Sequence, residues 1–116
     1  MDLKSHQQDN VIILNLTGRF DSRMAPSVRD WIDRTLANTG NQQVINLTEV
    51  SFMDSTALSV LVTGMKRCRE GKGDLVICGT PPQLQVIFQV TRLDRIFRMC
   101  ANEADAVNAF TQSEQH

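Results

Sequence analysis

A chain of 116 residues, 41% apolar and 22% charged, has room for one soluble globular domain and is too apolar for a disordered tail. Twelve basic against thirteen acidic residues leave a formal net charge of -1, and five Phe with one Trp and no Tyr offer no platform for bases. Neither nucleic acid nor a membrane surface is indicated as a partner.

Three widely spaced cysteines, Cys68, Cys78 and Cys100, form no C-x-x-C pair, which argues against a disulfide framework and against a zinc site. Within apolar runs they read as small hydrophobes of a reducing compartment. The start, MDLKSHQQDN, has no apolar h-region, and no apolar run approaches the ~18 residues needed to span a bilayer. The expected location is cytoplasmic.

In chain order, residues 2–7 alternate weakly, and VIILNL at 11–16 is β-branched and apolar between Gln8-Asp9-Asn10 and Gly18. The two runs predict a hairpin whose first strand lies at a sheet edge. From Met24 to Ala37, Val28, Trp31, Ile32, Thr35 and Leu36 recur at helical spacing, with Arg29, Asp30, Asp33 and Arg34 opposite. Pro26 suits the first turn of that helix, and Asn38-Thr39-Gly40 ends it.

VINL at 44–47 and LVIC at 75–78 are short apolar runs of the kind covered on both faces. Between them, Asp54 to Gly71 predicts a helix with a stripe of Leu58, Leu61, Met65 and Cys68. Arg67, Arg69 and Lys72 read as its solvated basic end. Strand, helix and strand make a βαβ unit with parallel strands.

Thr80-Pro81-Pro82-Gln83 reads as a helix start with Thr80 as cap and Pro81 first, followed by Leu84, Ile87 and Phe88. IFRM at 96–99 predicts a last short strand. Asn102 to Phe110 predicts a final helix capped by Asn102, with Val107 and Phe110 inward, and the tail 111–116 is expected to fray. No linker, repeat or low-complexity segment interrupts residues 1–116, so a single domain is expected.

The chain offers little for catalysis. His6 and His116 have no nucleophile and orienting acid nearby in sequence. Gly71-Lys72-Gly73 lacks the preceding Gly, the following hydroxyl and the strand-to-helix setting of a phosphate loop. No G-x-G-x-x-G, paired carboxylates or metal-ligand set stands out. No cofactor and no metal are expected.

What remains is Asp54-Ser55-Thr56, at the junction of the strand VINLTEV and the long helix. Read locally, Asp54 or Ser55 caps the helix. Read as a site, the junction lies at the carboxyl end of a parallel strand, where ligands and partners bind.

The stretch NLTEVSFMDSTALSVL resembles the motif of the STAS domain family, the bacterial anti-sigma factor antagonists, in which F-[MI]-D-S-[ST]-G-[LI] opens a helix. LTGRFD at 16–21 is similar to the family's L-x-G-x-[LI]-D. LVICGTPPQLQVIFQVTRLDRIFRM is similar to its later strand, helix and final strand. The resemblance covers roughly residues 3–110.

It implies a STAS-type α/β fold, a mixed and mostly parallel sheet of four to five strands with about four helices packed on it. It also places the family's phosphorylated serine on Ser55. Asp54, Thr56 and Ala57 flank that serine, and Asp21 matches an acid near the same partner surface. Ala57 stands where the family has Gly.

The function so implied is a phosphorylation-switched binding protein, monomeric when free. Its partners would be a serine-kinase anti-sigma factor or related switch kinase, and a serine phosphatase that resets it. The chain would be a substrate of both and not itself an enzyme. Two alternatives stand beside this: a STAS scaffold or transporter-associated subunit without a phosphorylation cycle, and a small nucleotide-binding enzyme.

Overall fold

Successive residues of a strand face opposite sides of its sheet, and in the central strands of this chain both sides are apolar. The computed structural model describes residues 2–38 and 40–114, with 111–114 as backbone alone. The elements run β1 (Asp2–Gln8), β2 (Val11–Phe20), α1 (Ala25–Asn38), β3 (Gln42–Met53), α2 (Ser55–Glu70), β4 (Asp74–Cys78), α3 (Pro82–Val90), β5 (Met99–Cys100) and α4 (Glu103–Glu114). They form the expected mixed sheet, ordered β1-β2-β3-β4-β5, with β1 antiparallel to β2 and the remaining pairs parallel.

Alternation sorts the core into two layers. Leu14, Leu16, Ile45, Leu47, Leu75 and Ile77 pack with residues of α1, α2 and α3. Their neighbours Ile13, Val44, Val76 and Cys78 pack with Ala106, Val107 and Phe110 of α4. Three helices therefore cover one face and a single helix the other, which is why β4 reads as an unbroken apolar run.

α4 leaves the far half of β3 open. Thr48, Glu49, Ser51 and Phe52 are exposed, while Val50 and Met53 are buried. β1, exposed at nearly every position, is the sheet edge, as the hairpin pattern predicts.

Several expectations need correction. Thr80 does not cap α3: the helix starts at Pro82, and the Pro81 carbonyl accepts from Leu84 N–H and Gln85 N–H. A residue before proline is driven to extended backbone, so Pro82 holds Pro81 at ψ 152 and moves the start one residue on. The last strand is Met99–Cys100, not 96–99. Ile96 and Phe97 donate their N–H groups to the Leu93 carbonyl in a 3-10 turn at Leu93–Arg95, and Phe97 turns inward to meet Phe88 edge-on at 5.9 Å.

Arg67, Arg69 and Lys72 are exposed, as expected of a solvated helix end, and two of them also take partners. Arg67 pairs with Asp33 of α1, and Arg69 donates to Asp74 (2.9 Å) and to the Ile96 carbonyl (2.7 Å). Of the tail expected to fray, α4 takes residues up to Glu114. Gln115, His116 and Thr39 lie outside the described residues.

Candidate functional site at the β3–α2 junction

β3 runs directly into α2, with Asp54 as the one residue between them. Asp54 is extended (φ -112, ψ -178), and its two carboxylate oxygens have different partners. Oδ1 accepts from Ala57 N–H at 2.9 Å and closes the first turn of α2. Oδ2 accepts from Ser22 N–H at 2.9 Å, in the loop between β2 and α1. One side chain thus caps a helix and binds a neighbouring loop to it.

The loop is itself shaped by an acid. The Asp21 carbonyl accepts from Met24 and Ala25 N–H, and its Oδ1 accepts from Arg23 N–H at 3.1 Å. Asp21 Oδ2 lies 3.8 Å from Arg19 Nε, and the Arg19 guanidinium carbon sits 4.1 Å from the centre of the Phe52 ring. Arg19 and Phe52 are register partners of β2 and β3. Phe52 is 36% exposed, an aromatic held at the surface three residues before Ser55. A cation over an exposed ring contributes about 0.5–1 kcal/mol, enough to orient the ring but too little to bury it.

Ser55 is the first residue of α2 and, like Thr56, is exposed. No hydrogen bond within the described residues holds either hydroxyl. Because Ala57 N–H is taken by Asp54, the N–H groups of Ser55 and Thr56 remain at the open end of the helix. Ala57 differs: it is fully buried in the core beneath the junction, and its methyl group does not reach the surface. Asp21, Asp54, Ser55 and Thr56 are brought together at one corner, while Ala57 lies under it.

Reading the sequence alone missed Ser22, Arg19 and Phe52. Val50 and Met53 are both buried at a spacing that breaks strict alternation, so the strand pattern carried no signal for an exposed Phe52. Nothing local links residue 22 to residue 54.

Other sites offer less. A cleft of about 750 Å³ opens beside β4 and β5, lined by Thr48, Thr80, Gln85, Phe88, Asp94 and Met99 among others. Its one charged lining residue, Asp94, has the wrong sign for a nucleotide phosphate. Among the described residues no group of three or more His, Cys, Asp or Glu is placed to hold a metal ion, and no described helix is long and apolar enough to cross a membrane.

The STAS domain family profile matches residues 2–106. The anti-sigma-B factor antagonist of Listeria monocytogenes is 32% identical over 99 residues, spanning 85% of this chain and 86% of that protein. In fold, the anti-sigma factor antagonist of Mycobacterium paratuberculosis superposes with a TM-score of 0.86 at 23% identity, over 95% of this chain and 93% of that one. The Bacillus cell fate determinant SpoIIAA in its phosphorylated form superposes with a TM-score of 0.75 at 19% identity, over 93% and 98%.

Proposed function

The chain belongs to the STAS domain family, and on that premise we propose that it is an anti-sigma factor antagonist switched by phosphorylation of Ser55. The carrying observation is local: Ser55 is an exposed hydroxyl on the first residue of α2, with no hydrogen-bond partner among the described residues, beside an Asp54 that already caps the helix. Unphosphorylated, the protein binds a serine-kinase anti-sigma factor or related switch kinase and releases that kinase's client. The kinase transfers the γ-phosphoryl group of ATP to Ser55 Oγ, and a serine phosphatase removes it.

The residues make such a cycle economical. Two free N–H groups and the positive end of the helix dipole accept a phosphate without unfolding the turn. Asp54 stays bonded to Ala57 and Ser22, so it adds its charge to that of the phosphate instead of neutralising it. The corner gains roughly -1.5 to -2 charges, and a surface fitted to a neutral hydroxyl then faces a dianion. Like-charge contact and desolvation at an interface cost several kcal/mol, and about 1.4 kcal/mol is tenfold in affinity. Release by 100-fold or more follows without a change of fold.

Ala57 supports this reading, because its methyl points into the core and its N–H serves the cap. Alanine in that turn favours the helix over glycine by roughly 0.8–1 kcal/mol.

The test is incubation with the cognate kinase and ATP, followed by mapping of the phosphorylated residue. Phosphate on Ser55, with kinase binding kept by Ser55→Ala and lost by Ser55→Asp, is the expected result. Phosphate elsewhere, or equal binding by the two variants, overturns the reading.

A further inference from the structure

The edge of the sheet far from β1 holds two thiols in register. β4 and β5 pair in parallel with Ile77 opposite Met99 and Cys78 opposite Cys100. Register partners on adjacent strands project to the same face, and here it is the face under α4: Cys78 belongs to that core and Cys100 packs against it. Adjacent strands lie about 4.8 Å apart, inside the ~4.4–6.8 Å Cα separation that a disulfide spans. The Cβ atoms must close to about 3.8 Å. β5 is two residues long and lies at the sheet edge, so it has the freedom to make that approach.

Access to the two thiols is unequal. Cys78 is fully buried, whereas Cys100 is half-buried and lines two open clefts, one beside α3 and one beside α4. Cys68 lies in the other core, among the residues of α1 and α2.

We propose that Cys78 and Cys100 form a dithiol modification site, which a two-electron oxidant of the peroxide class converts to an intrachain disulfide. The Cys100 thiolate attacks one peroxide oxygen; the O–O bond breaks, one water leaves, and Cys100 becomes a sulfenic acid. Cys78, as thiolate, then attacks the Cys100 sulfur; the S–O bond breaks, the S–S bond forms and a second water leaves. Two thiols give up two protons and two electrons, and the peroxide is reduced to two waters.

The surroundings set the pace. Burial raises the Cys100 thiol pKa, Arg98 lowers it by charge and by a hydrogen bond, and Asp105 raises it. Cys78 is pushed up to about 12, by burial first and then by Glu103 and Cys100. Few thiolates exist near neutrality, so the cross-link forms slowly at pH 7 and faster as pH rises. The cross-link would close the excursion from Cys78 to Cys100, which carries α3, and anchor the root of α4 three residues further on.

The site is independent of the Ser55 cycle, and the test needs only the full reduced chain. It is treated with hydrogen peroxide and followed by intact mass, peptide mapping and thiol titration. Expected are a mass lower by two hydrogens, a Cys78–Cys100 linked peptide, and a fall from three free thiols to one. A rise in Tm of several degrees, reversed by a thiol reductant, should accompany it. Cys68→Ala should still cross-link, and Cys100→Ala, altering only the half-exposed partner, should not. Three thiols persisting at high pH, a dimer joined through Cys100, or Cys100 sulfinic acid as the main wild-type product would each overturn the assignment.

Discussion

β3 and β4 lie side by side in parallel, and each passes the chain to a helix at the same end of the sheet, yet the two junctions are built on opposite chemistry. At the first, one aspartate satisfies the helix end and leaves the next hydroxyl in solvent. At the second, Gly79, Thr80 and Pro81 make the turn, Pro81 stands at the cap position with no side-chain bond, and Thr80 Oγ1 is shut from solvent without a partner. A hydroxyl near a helix start is therefore not a site by that fact alone. What sets Ser55 apart is that Asp54 relieves it of structural duty and places it one residue inside the helix, facing out.

The largest effect that can break this contrast is on binding. Ser55→Asp should weaken kinase affinity by about 100-fold, or about 2.7 kcal/mol, while Ser55→Ala stays within a few-fold by titration calorimetry. A charge introduced by Thr80→Asp should not act through the kinase, because that oxygen is enclosed. If it reduced kinase affinity while the fold was retained, the two junctions would be functionally alike.

Next comes the backbone of the second junction. Gly79 sits at φ +67, where a Cβ would lie 2.1 Å from Thr48 Oγ1, so Gly79→Ala should destabilise the fold by about 2 kcal/mol or more in urea unfolding. A value under half of that would show the turn to be less constrained than its geometry requires.

Removing the carboxylate of the first junction should cost less. Asp54→Ala forfeits the cap and the bond to Ser22, an expected ~1–2 kcal/mol, with faster hydrogen exchange at the Ser22 amide. Asp54→Asn keeps one acceptor oxygen for Ala57 N–H, so it should fall between wild type and Ala. Unchanged exchange at Ser22 in Asp54→Ala would break the link drawn between the two loops.

The smallest effect is at Thr80. Thr80→Val replaces a buried, unpartnered hydroxyl by a methyl of similar shape and should be neutral or stabilising by up to ~1 kcal/mol. A loss of stability would mean that the hydroxyl has a structural task.

Wherever a local pattern decides the outcome, the sequence was a sufficient guide. Helical spacing from Val28 to Leu36 marked α1, the apolar runs at 44–47 and 75–78 marked the hearts of β3 and β4, and Asn102 was recognisable as the cap of α4, where it accepts from Asp105 N–H at 2.9 Å. The misreadings arose where two local rules compete or where distance intervenes. Thr80 fitted the capping pattern, but a second proline overrode it. Residues 96–98 are apolar enough for a strand, but the Phe97 contact with Phe88 and the Arg69 bond to the Ile96 carbonyl hold them in a turn.

By itself the sequence determined where the long helices and the central strands run, which faces are apolar, and that Asp54 and Ser55 begin a helix. Those properties depend on backbone preference and side-chain period over a few residues. Only the tertiary structure decided that the second oxygen of Asp54 reaches Ser22, that Arg19 lies over Phe52, that Ala57 points inward, and that Cys78 faces Cys100. Each of these depends on strand register and helix packing across many residues, which side-chain interlocking settles once the chain has closed on itself.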